Sequence, residues 1–159
     1  MTKDVVVRRA NAGDLVAIGG FAGELVRLHH ANDPRRFLLV PDVESGYAWW
    51  LGKEIANDSA RVLAGLVDGK LAGYAYGTLE DRSWNDLLDA HGKIHDVFVA
   101  SAQRRSGLGG ALVAAMIAEL EELGAPRIVL SRMEGNEAAQ QLFAAHGFRK
   151  TMVEMTRGG

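Results

Sequence analysis

The 159-residue chain contains no cysteine. Disulfides, thiolate metal sites and any acyl group carried on a protein sulfur are therefore excluded. Proline is scarce, with three residues, and two of them, Pro34 and Pro126, stand where helical patterns stop. Charge of one sign is missing too: the net charge is −2 and the sequence pI about 6.2, which argues against a nucleic-acid partner. The longest apolar run, Ala111 to Ala118, falls far short of the roughly 20 residues that cross a bilayer. Met1 to Val7 lacks the apolar core of a signal peptide. The expectation is a soluble, cytoplasmic protein with no membrane partner. At 48% hydrophobic residues, residues 1–159 suffice for one domain with a sizeable core.

What is present is regular alternation of elements. Val5-Val6-Val7 reads as a strand, and Asn11 with Asp14 three residues on reads as a capping box. Leu15, Ile18, Ala22, Leu25 and Val26 recur at helical spacing, and Asp42 opens a second helix with a stripe of Val43, Tyr47, Trp50, Leu51 and Ile55. Asp68-Gly69 joins strands Arg61–Val67 and Lys70–Glu80 as a hairpin. A polar stretch, Asp81–His91, leads to strand Lys93–Ala100. Helix Gly107–Leu123 is apolar around most of its circumference, so it belongs against a sheet. Strand Arg127–Leu130, helix Asn136–His146 and a last strand Phe148–Thr156 complete a mixed α/β sheet with helices on both faces.

The most informative stretch is Val97 to Leu112. An apolar strand, Val97-Phe98-Val99, runs through Arg104, Arg105, Ser106, Gly107, Leu108, Gly109 and Gly110 into that apolar helix. Gly107 and Gly109 permit close backbone approach, the helix start adds partial positive charge, and two arginines add full charges; the combination suits a polyphosphate. The same residues also describe a tight strand-to-helix turn with solvated arginines. The motif is not a P-loop, since no Lys-Ser/Thr pair follows the glycines. It also lies in the second half of the chain, where a dinucleotide fold would not put it.

Arg104-x-x-Gly107-x-Gly109 after a strand resembles the pyrophosphate motif of the GNAT superfamily of acyl-CoA-dependent N-acetyltransferases. Asn136-x-x-Ala139-x-x-Leu142-Phe143-x-x-x-Gly147-Phe148 resembles that family's next motif at matching spacing. The resemblance covers essentially residues 4 to 156. It implies a six- or seven-stranded, mixed, splayed sheet flanked by about four helices, with coenzyme A wedged into the opening. It also implies that Val97, Phe98 and Val99 offer backbone groups to the pantetheine arm and the acetyl carbonyl. Arg104, Arg105, Ser106, Gly107, Leu108, Gly109 and Gly110 would hold the pyrophosphate, and Asn136 and Ala139 would line the other side of the arm. Asn136 is equally a good helix cap. Where the family often has a proton-donating tyrosine, this chain has Phe143, which reads as a packing residue beside the cofactor. Tyr74, Tyr76, Ser131 or a water are the remaining donors, and the sequence selects none of them.

Acetyl transfer requires a neutral amine. Deprotonating a lysine-like amine at pH 7 costs roughly 4.6 kcal/mol, an α-amine only about 1 kcal/mol. A side-chain amine therefore benefits from a base. His95-Asp96, just before the cofactor contacts, is the candidate catalytic pair; diamine-acetylating relatives have Glu-Asp there. Successive strand residues face opposite sides, so only one points into the cleft unless a bulge intervenes. Either residue is also ordinary as a satisfied polar group on a strand. Glu80, Asp81, Asp86 and Asp89 read as a cation-attracting rim or as a solvated loop. Leu28 to Phe37 falls where the superfamily builds its acceptor wall. His29 and His30 diverge on a helix and have no evident third ligand, so no metal is expected.

The resulting expectation is an acetyl-CoA-dependent N-acetyltransferase acting on a primary amine of a small molecule or peptide, by direct attack within a ternary complex. The alternative is a non-catalytic acyl-CoA sensor of the same fold, which Phe143 keeps open. The resemblance leaves a homodimer open as well.

Overall fold

The computed structural model describes residues 2–159. Its elements run β1 (Val5–Arg9), α1 (Leu15–Asn32), α2 (Val43–Ile55), β2 (Ala60–Val67), β3 (Lys70–Glu80), β4 (His91–Val99), α3 (Leu108–Glu122), β5 (Ile128–Leu130) and α4 (Glu137–Ala145). The five strands form one mixed sheet in the order β1-β2-β3-β4-β5, antiparallel except for the β4–β5 pair.

Local chemistry accounts for most boundaries. The Asn11 side chain accepts from the Gly13 N–H while Asp14 reaches back to the Asn11 N–H, the reciprocal capping expected ahead of α1. Asp68 and Gly69 both adopt positive φ, 50° and 80°, which is what a two-residue hairpin demands. Asp42 precedes α2 in the left-handed region and makes no side-chain cap, unlike the expectation.

Two cores sandwich the sheet. Helices α1 and α2 cover one face through Ile18, Ala22 and Leu51 against Tyr74, Tyr76 and Phe98. Helix α3 covers the other through Leu108, Leu112, Met116 and Leu120, all fully buried. Each such side chain contributes about 1.5–3 kcal/mol by leaving water. Sheet glycines receive them: a Cβ at Gly65 would meet Leu108 Cδ1 at 2.7 Å, and one at Gly77 would meet Met116 Sδ at 2.7 Å. The α2 stripe differs from the sequence reading. Trp50 and Ile55 are exposed to 43% and 36%, and Glu54 is buried instead, continuing the 43–47–51 face by three residues.

Among the described residues the sheet has five strands, not six or seven. The segment expected as a last strand, Phe148–Thr156, joins no ladder. Strand β5 offers it only three residues, and Arg36 on the α1–α2 connection binds Glu154 at 2.6 Å, holding the tail elsewhere. The gap leaves a groove of about 500 Å³ among Ile117, Pro126, Ile128 and Phe148.

Candidate functional site

Strands β4 and β5 pair only from Gly92 to Ile94, matched with Ile128 to Leu130. Beyond Ile94 they part, and His95 to Val99 have no strand partner on that side. At the same place the β3–β4 register slips: Tyr76 faces Asp96, but Gly77 faces Ile94. His95 is the extra residue of a β-bulge. Its consequence is that His95 and Asp96 both lie on the α1–α2 face, while Ile94 and Val97 pack toward α3.

The surroundings of the pair are specific. Asp96 accepts from the Tyr74 hydroxyl at 3.0 Å. Burial pushes its carboxyl pKa up, while the Tyr74 hydrogen bond and the field of His29 pull it back. Burial and the Asp96 charge likewise raise the Tyr47 phenol, and burial first of all raises Tyr74. His95 stacks on Tyr76, with ring centroids 4.9 Å apart and planes 22° from parallel. Its Nε2 lies 2.8 Å from Thr78 Oγ1, whose hydroxyl donates to Glu80 Oε1 at 2.7 Å. Burial, then the positive charge of Lys93, holds the His95 pKa below its ordinary 6.5, against the opposing pull of Glu80 and Glu54. Tyr76 in turn donates to Glu54 at 2.6 Å. Burial and that carboxylate raise the Tyr76 phenol far above its normal range. Tyr74 and Tyr76 thus both carry their protons at neutral pH.

A cavity of about 80 Å³ opens where the strands part, between Leu25 and His29 of α1, His95 to Val97 of β4, and Ser131 to Met133 after β5; Asn136, Ala139 and Phe143 close it. Ser131, Arg132 and Met133 are lining residues that no motif flagged, apart from Ser131 as a candidate donor. Arg132 is tied to Gln140 at 2.7 Å. Asn136 uses its side chain to cap α4, accepting from the Ala139 N–H at 3.1 Å, so the capping role is occupied. Phe143 lies edge-on to Phe148 at 6.1 Å and brings no hydroxyl to the cavity.

The glycine turn sits at the outer end of the open β4 edge. Arg105 and Gly107 have φ of 67° and 89°, turning the backbone into α3. Leu108 N–H is satisfied by Ser106 Oγ at 3.2 Å. Among the described residues the N–H groups of Gly109 and Gly110 have no acceptor. Arg104 and Arg105 are exposed beside them, and Arg104 Nε lies 3.5 Å from the Val99 carbonyl. A Cβ on Gly109 would meet only Leu142 at 3.5 Å and Val99 at 3.8 Å. Unpaired amides at a helix start, flanked by guanidinium groups, fit a diphosphate, and an unpaired strand edge fits an amide-bearing arm.

The other sequence candidates separate from this site or find structural partners. Asp89 pairs with Arg82 and Asp86 accepts from Ser83, making a solvated loop of 81–89, whereas Glu80 joins Thr78. His29 and His30 each donate Nδ1–H to a backbone carbonyl, of Leu25 and Phe37. Among the described residues no group of three or more His, Asp or Glu is arranged to hold a metal, and no helix is long and apolar enough to cross a membrane.

Solved structures share this architecture across the whole chain. An aminoglycoside N-acetyltransferase in complex with CoA superposes with a TM-score of 0.79 at 17% identity, covering 100% of this chain and 97% of that one. Glucosamine-6-phosphate N-acetyltransferase from Arabidopsis thaliana gives 0.71 at 15% identity, with 97% of each covered. A transcriptional regulator from Bacillus halodurans C-125 gives 0.75 at 18% identity, covering 98% of this chain and 100% of that one. Comparison with curated protein sequences returns no match. The profile of the Acetyltransferase (GNAT) family matches residues 24–148, spanning the parted strands, the glycine turn and the α4 motif. By that match the chain belongs to the GNAT acetyltransferase family.

Proposed function

We propose that this chain is an N-acetyltransferase that moves an acetyl group from acetyl-CoA to a primary amine of a small molecule or peptide. One observation carries the reading: the bulge at His95 puts an imidazole and a carboxylate on one face of the sheet, where β4 and β5 part. Acetyl-CoA supplies an activated thioester. The amides of Gly109 and Gly110, with Arg104 and Arg105, would hold its diphosphate, supported by Ser106, Gly107 and Leu108 of the same turn. The open edge at Val97, Phe98 and Val99 would align its arm, and backbone N–H groups near Phe98 would meet charge developing on the acetyl oxygen. Asn136, Ala139 and Phe143 would close the far side.

His95 is the base in this reading. Its depressed pKa keeps it neutral near pH 7, ready to take a proton from an incoming ammonium. Asp96, Tyr74 and the nearby Tyr47 would hold the acceptor's polar end. With no cysteine in the chain, the amine attacks the thioester directly. Thiol release from acetyl-CoA across a panel of polyamines, aminoglycosides, amino acids and short peptides tests this. Amine-dependent release is expected with at least one class. Tight coenzyme A binding with no release from any amine favours the sensor reading, to which Phe143 lends its missing hydroxyl.

A further inference from the structure

We infer that Thr78 and Glu80 are positioning residues for His95, fixing its imidazole as the Nε2–H tautomer so that Nδ1 is the nitrogen that accepts the proton. The inference rests on the transferase reading for its consequence, and on hydrogen-bond chemistry for its substance. A hydroxyl has one proton to give. Thr78 gives it to Glu80 Oε1, at 2.7 Å, and a carboxylate can only accept. The remaining Thr78 contact, 2.8 Å to His95 Nε2, must then be donated by the imidazole. Nε2 carries the hydrogen, and Nδ1 is left with its lone pair. Among the described residues nothing bonds to Nδ1.

This arrangement sets His95 apart within the molecule. His29, His30, His91 and His146 all donate Nδ1–H to backbone carbonyls. In their neutral form these four are Nδ1–H tautomers, and His95, the remaining one of the five histidines, is the opposite. Thr78, His95, Tyr76 and Glu80 share one face because β3 alternates and β4 bulges; the Tyr76 ring fixes the imidazole plane while Thr78 fixes its rotation. Glu80, 44% exposed, meets solvent at the outer end of the chain of contacts. The charged groups acting on the imidazole are Glu80 from β3, Lys93 from β4 and Glu54 from α2. Asp96, His29 and Arg132 line the same cavity. When an ammonium gives its proton to Nδ1, the imidazolium keeps its Nε2–H bond to Thr78, and the Glu80 carboxylate offsets the new charge. The tautomer of a histidine base is set by what its other nitrogen binds.

Nitrogen-15 correlation spectra of the imidazoles test this, with His95 assigned by its loss in His95→Gln. The parent protein, at a pH where all five imidazoles are neutral, should show His95 as Nε2–H and the other four as Nδ1–H. Thr78→Val, which keeps the shape of a β-branched residue, should mix the two forms at His95. The same variant should lower kcat for a lysine-like amine about tenfold with little change in KM, part of the 10²–10⁴ that general bases supply; Thr78→Ser should restore both readouts. An Nδ1–H signal for His95 in the parent overturns the assignment. So does an unchanged tautomer and rate in a folded Thr78→Val. If no amine is acetylated by the parent, the spectra still decide the hydrogen-bond assignment, and the failure belongs to the transferase reading alone.

Discussion

His95 and Asp96 are adjacent in the chain, yet both reach the α1–α2 face of the sheet, one stacked on Tyr76 and the other bonded to Tyr74. A regular strand would have sent them to opposite sides. The bulge brings a neutral imidazole and a half-buried carboxylate together within two residues of Ile94, the last β4 residue paired with β5. In the proposed function that coincidence would put proton chemistry at the inner end of an open strand edge and an anion cradle at its outer end.

Replacing His95 by Gln should lower kcat for lysine-like amines by about 10²-fold and leave α-amine acceptors much less affected, because their deprotonation costs so much less. The acid limb of kcat/KM in the parent should fall below pH 6.5, since burial and Lys93 hold the imidazole pKa down. That limb should vanish in the variant. Initial rates against pH with two acceptors of different basicity check both statements, and an identical profile for parent and variant removes His95 from the mechanism.

Tyr74→Phe removes the hydroxyl that binds the Asp96 carboxylate. The loss should cost about 1–3 kcal/mol at neutral pH, the range for a buried polar group left without its partner. The sign with pH follows from the carboxyl pKa. Asp96 is already raised by burial and loses a bond that lowered it, so the folded variant favours the protonated form still more. The penalty should therefore shrink as pH falls through the range where Asp96 takes up a proton. Urea unfolding of both proteins at several pH values measures it.

Asp14→Ala should cost about 1–2 kcal/mol at neutral pH through loss of the Asn11 capping box. The Arg8 contact at 2.7 Å, followed by the Asn11 N–H, holds the Asp14 carboxyl below the usual carboxylate range, against the cost of burial. A depressed carboxyl contributes stability that is present above its unfolded pKa and is lost as pH falls through the folded one. Parent and variant should thus converge in acid. Thermal unfolding from pH 7 down to about pH 3 reads the difference.

The sequence was most legible where structure is decided locally. Asp68-Gly69 names its own turn, the Asn11–Asp14 box names the start of α1, and the apolar circumference of α3 names a helix laid on a sheet. Phe148–Thr156 reads as a strand, but a strand exists only with a partner, and the β5 available to it has three residues. Glu54 takes the buried place that apolarity alone gives to Ile55, because helical phase decides which residue faces the core. At the site, His95, Asp96 and the glycine turn stood out as residue types in a pattern. The bulge that gives the pair a common face is a matter of register between β3 and β4, as are the partners Thr78 and Glu80, and the long connection from Glu80 to His91 has no tight turn to fix that register.

In the proposed function the amides opening α3 hold the diphosphate of coenzyme A, and titration calorimetry with coenzyme A decides whether they do. The parent should release heat at one site per chain. Gly109→Val, whose Cβ meets nothing closer than 3.5 Å, should melt like the parent and bind none. No heat from the well-folded parent, or equal affinity in the variant, contradicts the account.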